Sequence, residues 1–509
     1  MFVRKKRNKS GSTSIQIIQK VGRVNKLVQT VGSSKDTLEI DTLFKEANNR
    51  IPLLEKQQRF NFFDEKDETI LNFTKTLSNA NIKAVGAELI FGALFNHIGF
   101  NAIKDQLFKD LVLSRIIYQG SKLKLTEYLR RFEHRDISIQ RIYRFLDKLN
   151  HKYKSQVEEI AFKHTQKVLG QISVVFYDMT TLYFEAGDED DFRRIGFSKD
   201  GKFQNPQIML GLLVGEKGYP IGYELFDGNT FEGKTLLPVL EKFQEKFNLI
   251  KPIIIADSGL LSKANIASLK EKKYTYILGA RIKNDTDAIT KKIIDLNLNE
   301  DGQSAVIKKS DGDRLIVTYT QKRAKKDAHN RKKGLARLEK KVHSGKLTKD
   351  KINARGYNKY LTLKNEVNVA IDYDKYDADG SWDGLKGYIT NTSLSVDAVI
   401  DSYSNLWHIE KAFRMSKSDL EIRPIYHYTK RRIEAHISIA FVAYTVYKEL
   451  ERVLQKHEVP FSVKTARDII RNMYQLEIEL PHSKRKETIL LNMDEAQQLL
   501  LRIVQSETG

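Results

Sequence analysis

The sequence predicts a mixed α/β fold, a sheet layered with helices, and three observations carry that prediction. From Ile172 onward, three apolar and β-branched runs follow one another through tight turns. A helix, a buried strand, a second helix and a further buried strand then alternate as far as residue 280. Finally, 509 residues with 41% apolar and 10% aromatic content supply a large core, enough for two to four domains at roughly 100–200 residues each.

The net charge of +21 at pH 7 makes the chain repel itself, and a polyanionic partner, most often nucleic acid, compensates such an excess. The longest apolar stretch, Ile437–Tyr447, is about half of the ~20 residues that a spanning helix requires. The basic N-terminus has no apolar run behind it, so neither a membrane span nor a signal peptide is expected. With no cysteine, the chain has no disulfide, thiolate zinc site, iron–sulfur cluster or thiol nucleophile, which suits a reducing, cytoplasmic setting.

Taken in order, residues 1–35 hold nine Lys or Arg and no acid. Here FVRKK, SIQIIQK and KLVQTVG read as three short strands, a basic β arm suited to DNA. Residues 36–170 turn helical, as in Ser138–Leu149, where apolar residues recur at helical spacing. Arg130, Arg131, Arg135, Arg141 and Arg144 decorate this region, which is expected to bind DNA. ISVVFYD then opens the sheet-bearing domain, 171–450. QIMLGLLV (207–214) and IGYELF (221–226) follow, separated by the turn Gly215–Pro220. Next come a helix over Leu236–Phe247, the strand PIIIAD, a helix over Ser262–Lys270 and the strand YTYILGA.

Residues 281–385 read as an insertion, with SAVIKK, RLIVTYT and YLTL flanking the basic stretch Gln321–Asp350, which has 12 Lys or Arg against 3 acids. From KGYITNTS the chain is expected to be helical to its end, with a long apolar helix at Ile433–Leu454 and a helical C-terminal region at 451–509.

Two strands end in acids, Asp178 in FYDMTT and Asp257 in IIIADSG. The carboxyl ends of strands in α/β sheets are where ligands bind, and two acids on neighbouring strands suggest an oxygen-ligand site for a hard metal. Tyr403, Leu406, Glu410, Arg414 and Lys417 recur every three or four residues, which puts them on one helix face. Intrahelical pairing of Glu410 with Arg414, worth only ~0.3–0.5 kcal/mol, is the plainer explanation of that stripe. Gly228–Thr235 (GNTFEGKT) fits the phosphate-loop pattern of an NTPase. Against it, Phe231 and Glu232 are bulky and anionic where bare N–H groups must cradle a phosphate. His408 and His436 read as packing or capping residues. Trp382 and Trp407 read as core, with Trp382 also placed to stack on a base.

On these residues the chain resembles the Asp-Asp-Glu transposases of bacterial insertion sequences. It is most similar to the group with a β-strand insertion in its RNase H-like domain and a Tyr-x2-Arg-x3-Glu-x6-Lys motif. Tyr403, Glu410 and Lys417 match that motif, and Leu406 stands where the family has Arg. FYDMTTLYFE, GNTFEGKT, ADSGL, IEKAFRMSKSDLEIRPIYH and RIEAHI carry the rest of the resemblance, which runs to about Leu450.

The resemblance implies an RNase H-like catalytic domain with Asp178, Asp257 and Glu410 as catalytic and metal-binding triad. Two Mg²⁺ ions, replaceable by Mn²⁺, would support cleavage and strand transfer. Tyr403, Arg414 and Lys417 would contact DNA phosphates. The implied partners are double-stranded DNA, both element ends and target, and a second copy in a synaptic homodimer, in the nucleoid of a bacterial cytoplasm. An inactive, DNA-binding repressor is the alternative from a different functional class.

Overall fold

The computed structural model describes every residue except 56–64, 186, 200, 248–250, 261, 345–351, 354–355, 364–368 and 481–482. Residues 345–350 of the basic stretch Gln321–Asp350 thus lie outside the described residues. The chain divides into two compact units, Met1–Asn79 with Glu479–Arg485, and Ala80–Ile478 with Lys486–Gly509.

In the first unit, β1 (Phe2–Arg7), β2 (Thr13–Val21) and β3 (Val24–Ser34) form an antiparallel meander, so the three expected strands are present. A lone three-stranded sheet leaves its apolar face in water. Here α1 (Thr37–Leu54) covers it, Ile15 and Ile17 packing on Ala47, Leu43 and Phe44. Asp36 caps α1 by accepting from Leu38 N at 2.8 Å. The compact unit therefore runs past residue 35, through α2 (Glu65–Thr74) to Asn79.

The second unit opens with β4 (Ile82–Ala84) and then α3 (Ala93–Ile98), α4 (Gln106–Ile117), α5 (Lys122–Phe132), α6 (Ile139–Lys148) and α7 (Lys154–Leu169). The helical spacing seen in the sequence is α6, capped by Ser138, with Ile142, Phe145 and Leu146 on its buried face. The chain then builds β5 (Val174–Tyr183), β6 (Gln207–Val214), β7 (Pro220–Asp227), α8 (Leu236–Phe247), β8 (Ile253–Ala256), α9 (Lys263–Glu271) and β9 (Thr275–Ala280). β5, β6 and β7 form an antiparallel meander, while β8 lies parallel to β5 and β9 parallel to β8. This is the mixed sheet of the RNase H-like fold.

Beyond β9 follow α10 (Asp287–Asp295), β10 (Ser304–Lys308), β11 (Arg314–Tyr319), α11 (Gln321–His343), β12 (Leu361–Leu363), β13 (Val369–Ile371), α12 (Tyr373–Ala378) and β14 (Leu385–Thr390). The excursion is not a detached module. β14 pairs with β9, β11 with β14 and β10 with β11, giving an eight-stranded sheet of order β10-β11-β14-β9-β8-β5-β6-β7.

The chain ends with α13 (Val396–Ser404), α14 (Trp407–Arg414), α15 (Lys430–Lys456), α16 (Val463–Ile470), β15 (Tyr474–Glu479), β16 (Lys486–Leu490) and α17 (Glu495–Thr508). The last two strands correct the expectation of a wholly helical tail. YQLEIE alternates polar and apolar residues, and β15 finds its partner in the distant β4.

Side chains alternate across the sheet. Phe176, Ile255 and Ile277 face α14 and α15, while Tyr177, Ala256 and Leu278 face α8 and α9. α15 is buried from Ala435 through Glu451, which explains its apolar middle. Among the described residues no helix is long and apolar enough to cross a membrane.

Candidate active site

Asp178 is not at the tip of its strand, as the sequence suggested. The β-branched and aromatic residues after it (Thr180, Thr181, Tyr183) carry β5 on to Tyr183, still paired with β6. It does sit where β8 stops. The last parallel pair is Tyr177 with Ala256, and the next register position sets Asp178 beside Asp257. By alternation both acids fall on the side of the sheet that Phe176 and Ile255 share with α14. Glu410 is exposed on α14, which packs against β5 and β6, with His408 against the Phe176 ring.

The stripe from Tyr403 to Lys417 is not one helix. α13 ends at Ser404, Asn405 and Leu406 form the break, and Lys417 lies in a π-turn over Met415–Asp419. Glu410 and Arg414 share α14, and Arg414 is exposed. Tyr403 is buried, and its hydroxyl donates to Asp257 Oδ1 at 3.3 Å. It therefore faces the acid rather than open solvent. Leu406 is buried in the core. Burial, followed by the Asp257 carboxylate, raises the Tyr403 phenol and keeps it a donor.

Asp257 and Glu410 line a single cavity of about 370 Å³ with Tyr403, Lys386, Arg323 and Trp407. Trp407 is 48% exposed, which corrects its assignment to the core. Burial and the neighbouring Arg323 lower Lys386, opposed by the charges of Asp257 and Glu410. On the other side, Lys199 Nζ donates to Met179 O at 2.7 Å and pairs with Glu232 Oε1 at 2.7 Å and with Asp178 Oδ1 at 3.7 Å. Burial pushes Asp178 up to about 6; Lys199 and the Met179 N–H oppose this, while Glu232 and Asp257 add to it.

The donor chemistry of Asp178, Asp257 and Glu410 fits a hard divalent ion, since all three offer carboxylate oxygen alone. As they stand, the first two are turned onto local partners, Asp178 onto Met179 N at 2.7 Å and Asp257 onto Ser258 N at 2.6 Å. Among the described residues no three acids or histidines gather closely enough to hold an ion. Lys199, Glu232, Lys386 and Arg323 were not singled out as site residues from sequence. GNTFEGKT and KGYITNTS contain two of them, but only the fold brings those segments to the acids.

The phosphate-loop pattern belongs to packing. It follows β7, an antiparallel edge strand, and its Thr235 is fully buried, accepting from the Tyr177 hydroxyl at 2.9 Å and donating to Glu232 O at 2.7 Å. A Cβ on Gly228 would lie 2.0 Å from Gln207 O and 2.3 Å from Arg194 O. Gly228→Ala is therefore expected to lower stability by about 1–3 kcal/mol, read as a drop in thermal midpoint. Lys234 is exposed, and Lys234→Ala should leave DNA cleavage nearly unchanged in a gel assay, with or without ATP.

Half-buried His408 is lowered to about 4 by desolvation and by Lys448 and Lys411, so it is a neutral packing residue at pH 7. His436 is buried, with Nε2 against Ile422 O at 2.9 Å.

A family model described as the transposase DDE domain matches residues 169–446. No curated protein matches the chain. Among solved structures, a piggyBac transposase synaptic complex with hairpin DNA is similar at 10% identity and TM-score 0.40, over 79% of this chain and 79% of that one. The Drosophila P element transposase strand transfer complex is similar at 12% identity and TM-score 0.23, over 86% and 98%. The Mos1 transposase paired-end complex with left transposon end is similar at 12% and 0.16, over 45% and 71%. These TM-scores are too low to bear on function, and the assignment rests on the family match.

Proposed function

The chain belongs to the transposase DDE-domain family, and from that premise we propose that it binds the terminal inverted repeats of an insertion sequence and moves the element by cutting and rejoining DNA. Asp178, Asp257 and Glu410 are its catalytic carboxylates. The observation that carries this reading is the register of β5 and β8, which sets two acids level on adjacent parallel strands, with one of them sharing a cavity with Glu410.

Two divalent ions held by these three side chains would stabilise the attacking and leaving oxygens of the displacement. The protein's own part is positional. Tyr403 holds Asp257 through its hydroxyl, and Lys199 tethers Asp178 and Glu232 to one another. Arg414 and Lys417, one and two turns beyond Glu410, bind DNA phosphates beside the acids. Water attacks the phosphorus at the element end and the bond to the 3′-oxygen breaks; the freed 3′-hydroxyl then attacks a phosphorus of target DNA, whose own 3′-oxygen leaves as a hydroxyl. Two ends must be processed together, so a homodimer forms in the synaptic complex. The charge of +21 supports DNA as partner and predicts steep salt dependence of binding.

The test is cleavage of a labelled duplex carrying the element's own end, with Mg²⁺ or with EDTA, and without ATP. A Mg²⁺-dependent break at the end junction, absent in Glu410→Gln, is expected. Specific binding with no cut under any metal condition would overturn the enzymatic reading in favour of a repressor.

A further inference from the structure

Away from the acids, a second cavity of about 430 Å³ opens at the N-terminus of α5, walled by α4 and by the segment between α14 and α15. Its lining holds four cationic side chains, Arg115, Lys122, Lys124 and Arg423, against Glu421 as the one carboxylate among the described lining residues. Arg115 and Lys122 are only 6% and 7% exposed. Arg115 spends one N–H on the Glu421 carbonyl at 3.2 Å, and no carboxylate pairs with Lys122 among the described residues. Burial pushes Arg115 down to about 10, and burial together with the Arg115 charge pushes Lys122 well below the usual lysine range. Two buried like charges, with the Glu421 carboxylate acting on Arg115 alone, are costly to fold around. Asp147, whose charge acts on the lining His427, is already held by Arg431 and Arg432.

The rest of the wall is equally short of negative charge. Ser121 caps Lys124 N at 3.2 Å, while helix geometry leaves the N–H groups of Lys122 and Leu123 without intrahelical acceptors. A helix N-terminus, an unpaired buried lysine and a guanidinium converging on one cavity make the donor set that an oxyanion needs.

We propose that this cavity is a phosphate-binding site, filled by a backbone phosphate of bound DNA. The wall at Ile425 bridges to Phe184, just past the end of β5. Along an extended chain Phe184 is ~20 Å from Asp178. That is about six base-pair steps of duplex. The strand that carries Asp178 thus runs from the acids to the segment whose Pro424 and Tyr426 line the cavity. The volume exceeds one phosphate and admits the flanking sugar.

Two measurements on the full chain test this, neither requiring cleavage or metal. In the first, inorganic phosphate is titrated calorimetrically into the protein in chloride buffer. Saturable binding is expected, weakened ~10-fold or more by Lys122→Met, the worth of one charge-assisted hydrogen bond. Lys122→Met exchanges a buried charge for an apolar chain and should fold. Lys124→Glu, at the exposed rim, alters the charge without touching the core and should weaken binding as well. In the second, the slope of log Kobs against log salt for an end duplex is expected to fall by ~1 in Lys122→Met, because one DNA phosphate fewer is neutralised. A weakened phosphate titration with an unchanged DNA slope upholds the site and identifies free phosphate as its occupant. Phosphate affinity equal in wild type and both variants, with no change of slope, overturns the proposal.

Discussion

Asp178→Asn is expected to abolish cleavage of an element-end duplex, by ~10³-fold or more, while binding of that duplex persists. On the proposed function, losing one carboxylate of a two-ion site removes several kcal/mol of transition-state stabilisation, and each 1.36 kcal/mol is tenfold in rate. The fold should not register the change. Asn retains the Oδ1 that accepts from Met179 N at 2.7 Å, and Lys199 keeps Glu232 and Met179 O as partners. Single-turnover cleavage and a gel-shift titration on the same preparation separate the two effects. Retained cleavage would remove Asp178 from the catalytic set.

Glu449→Ala is expected to produce the largest loss of stability, about 3–5 kcal/mol, because it strands buried charge. Glu449 is 1% exposed on α15. Its Oε2 accepts from His164 Nε2 at 3.0 Å and the Tyr219 hydroxyl at 3.2 Å, and its Oε1 binds Arg452, which also holds Glu507 on α17. One side chain thus ties α7, the turn before β7, α15 and α17.

Burial alone would raise this carboxyl, but the His164 and Arg452 hydrogen bonds hold it at about 2. A depressed carboxylate stabilises the fold fully above its unfolded value, near 4.3, and that contribution is lost as pH falls towards 2. Denaturant midpoints measured from pH 6 to pH 2 should therefore decline through that window in the wild type, and decline less in Glu449→Gln.

Much of the sheet was legible because its runs are apolar, β-branched and bounded by turns. β6 coincides with QIMLGLLV, and α8 with its predicted span. What local pattern could not convey was pairing at a distance. The strand character of FYDMTTLY gives no sign that β8 stops at Ala256, so the position of Asp178 needed the register. The three-to-four spacing of Tyr403, Glu410 and Lys417 persists through a helix break because a single turn at Asn405 and Leu406 barely disturbs the phase. Lys199 and Glu232 meet only through tertiary folding.

The long excursion between Asp257 and Glu410 departs from β9, adds β10 and β11 at the sheet's edge and comes back beside β9 on β14, with Ala280 and Gly387 as direct cross-strand partners. It is a closed detour: more than a hundred residues are added with almost no net displacement of the chain. Whatever is lengthened, trimmed or exchanged beyond β11, α14 still enters from the same rung of the ladder. The sequence separation between the acids is thus set by the detour and the rung at which the chain rejoins by the β9–β14 ladder, while the detour's basic helix, α11, returns Arg323 to the cavity that Asp257 and Glu410 line.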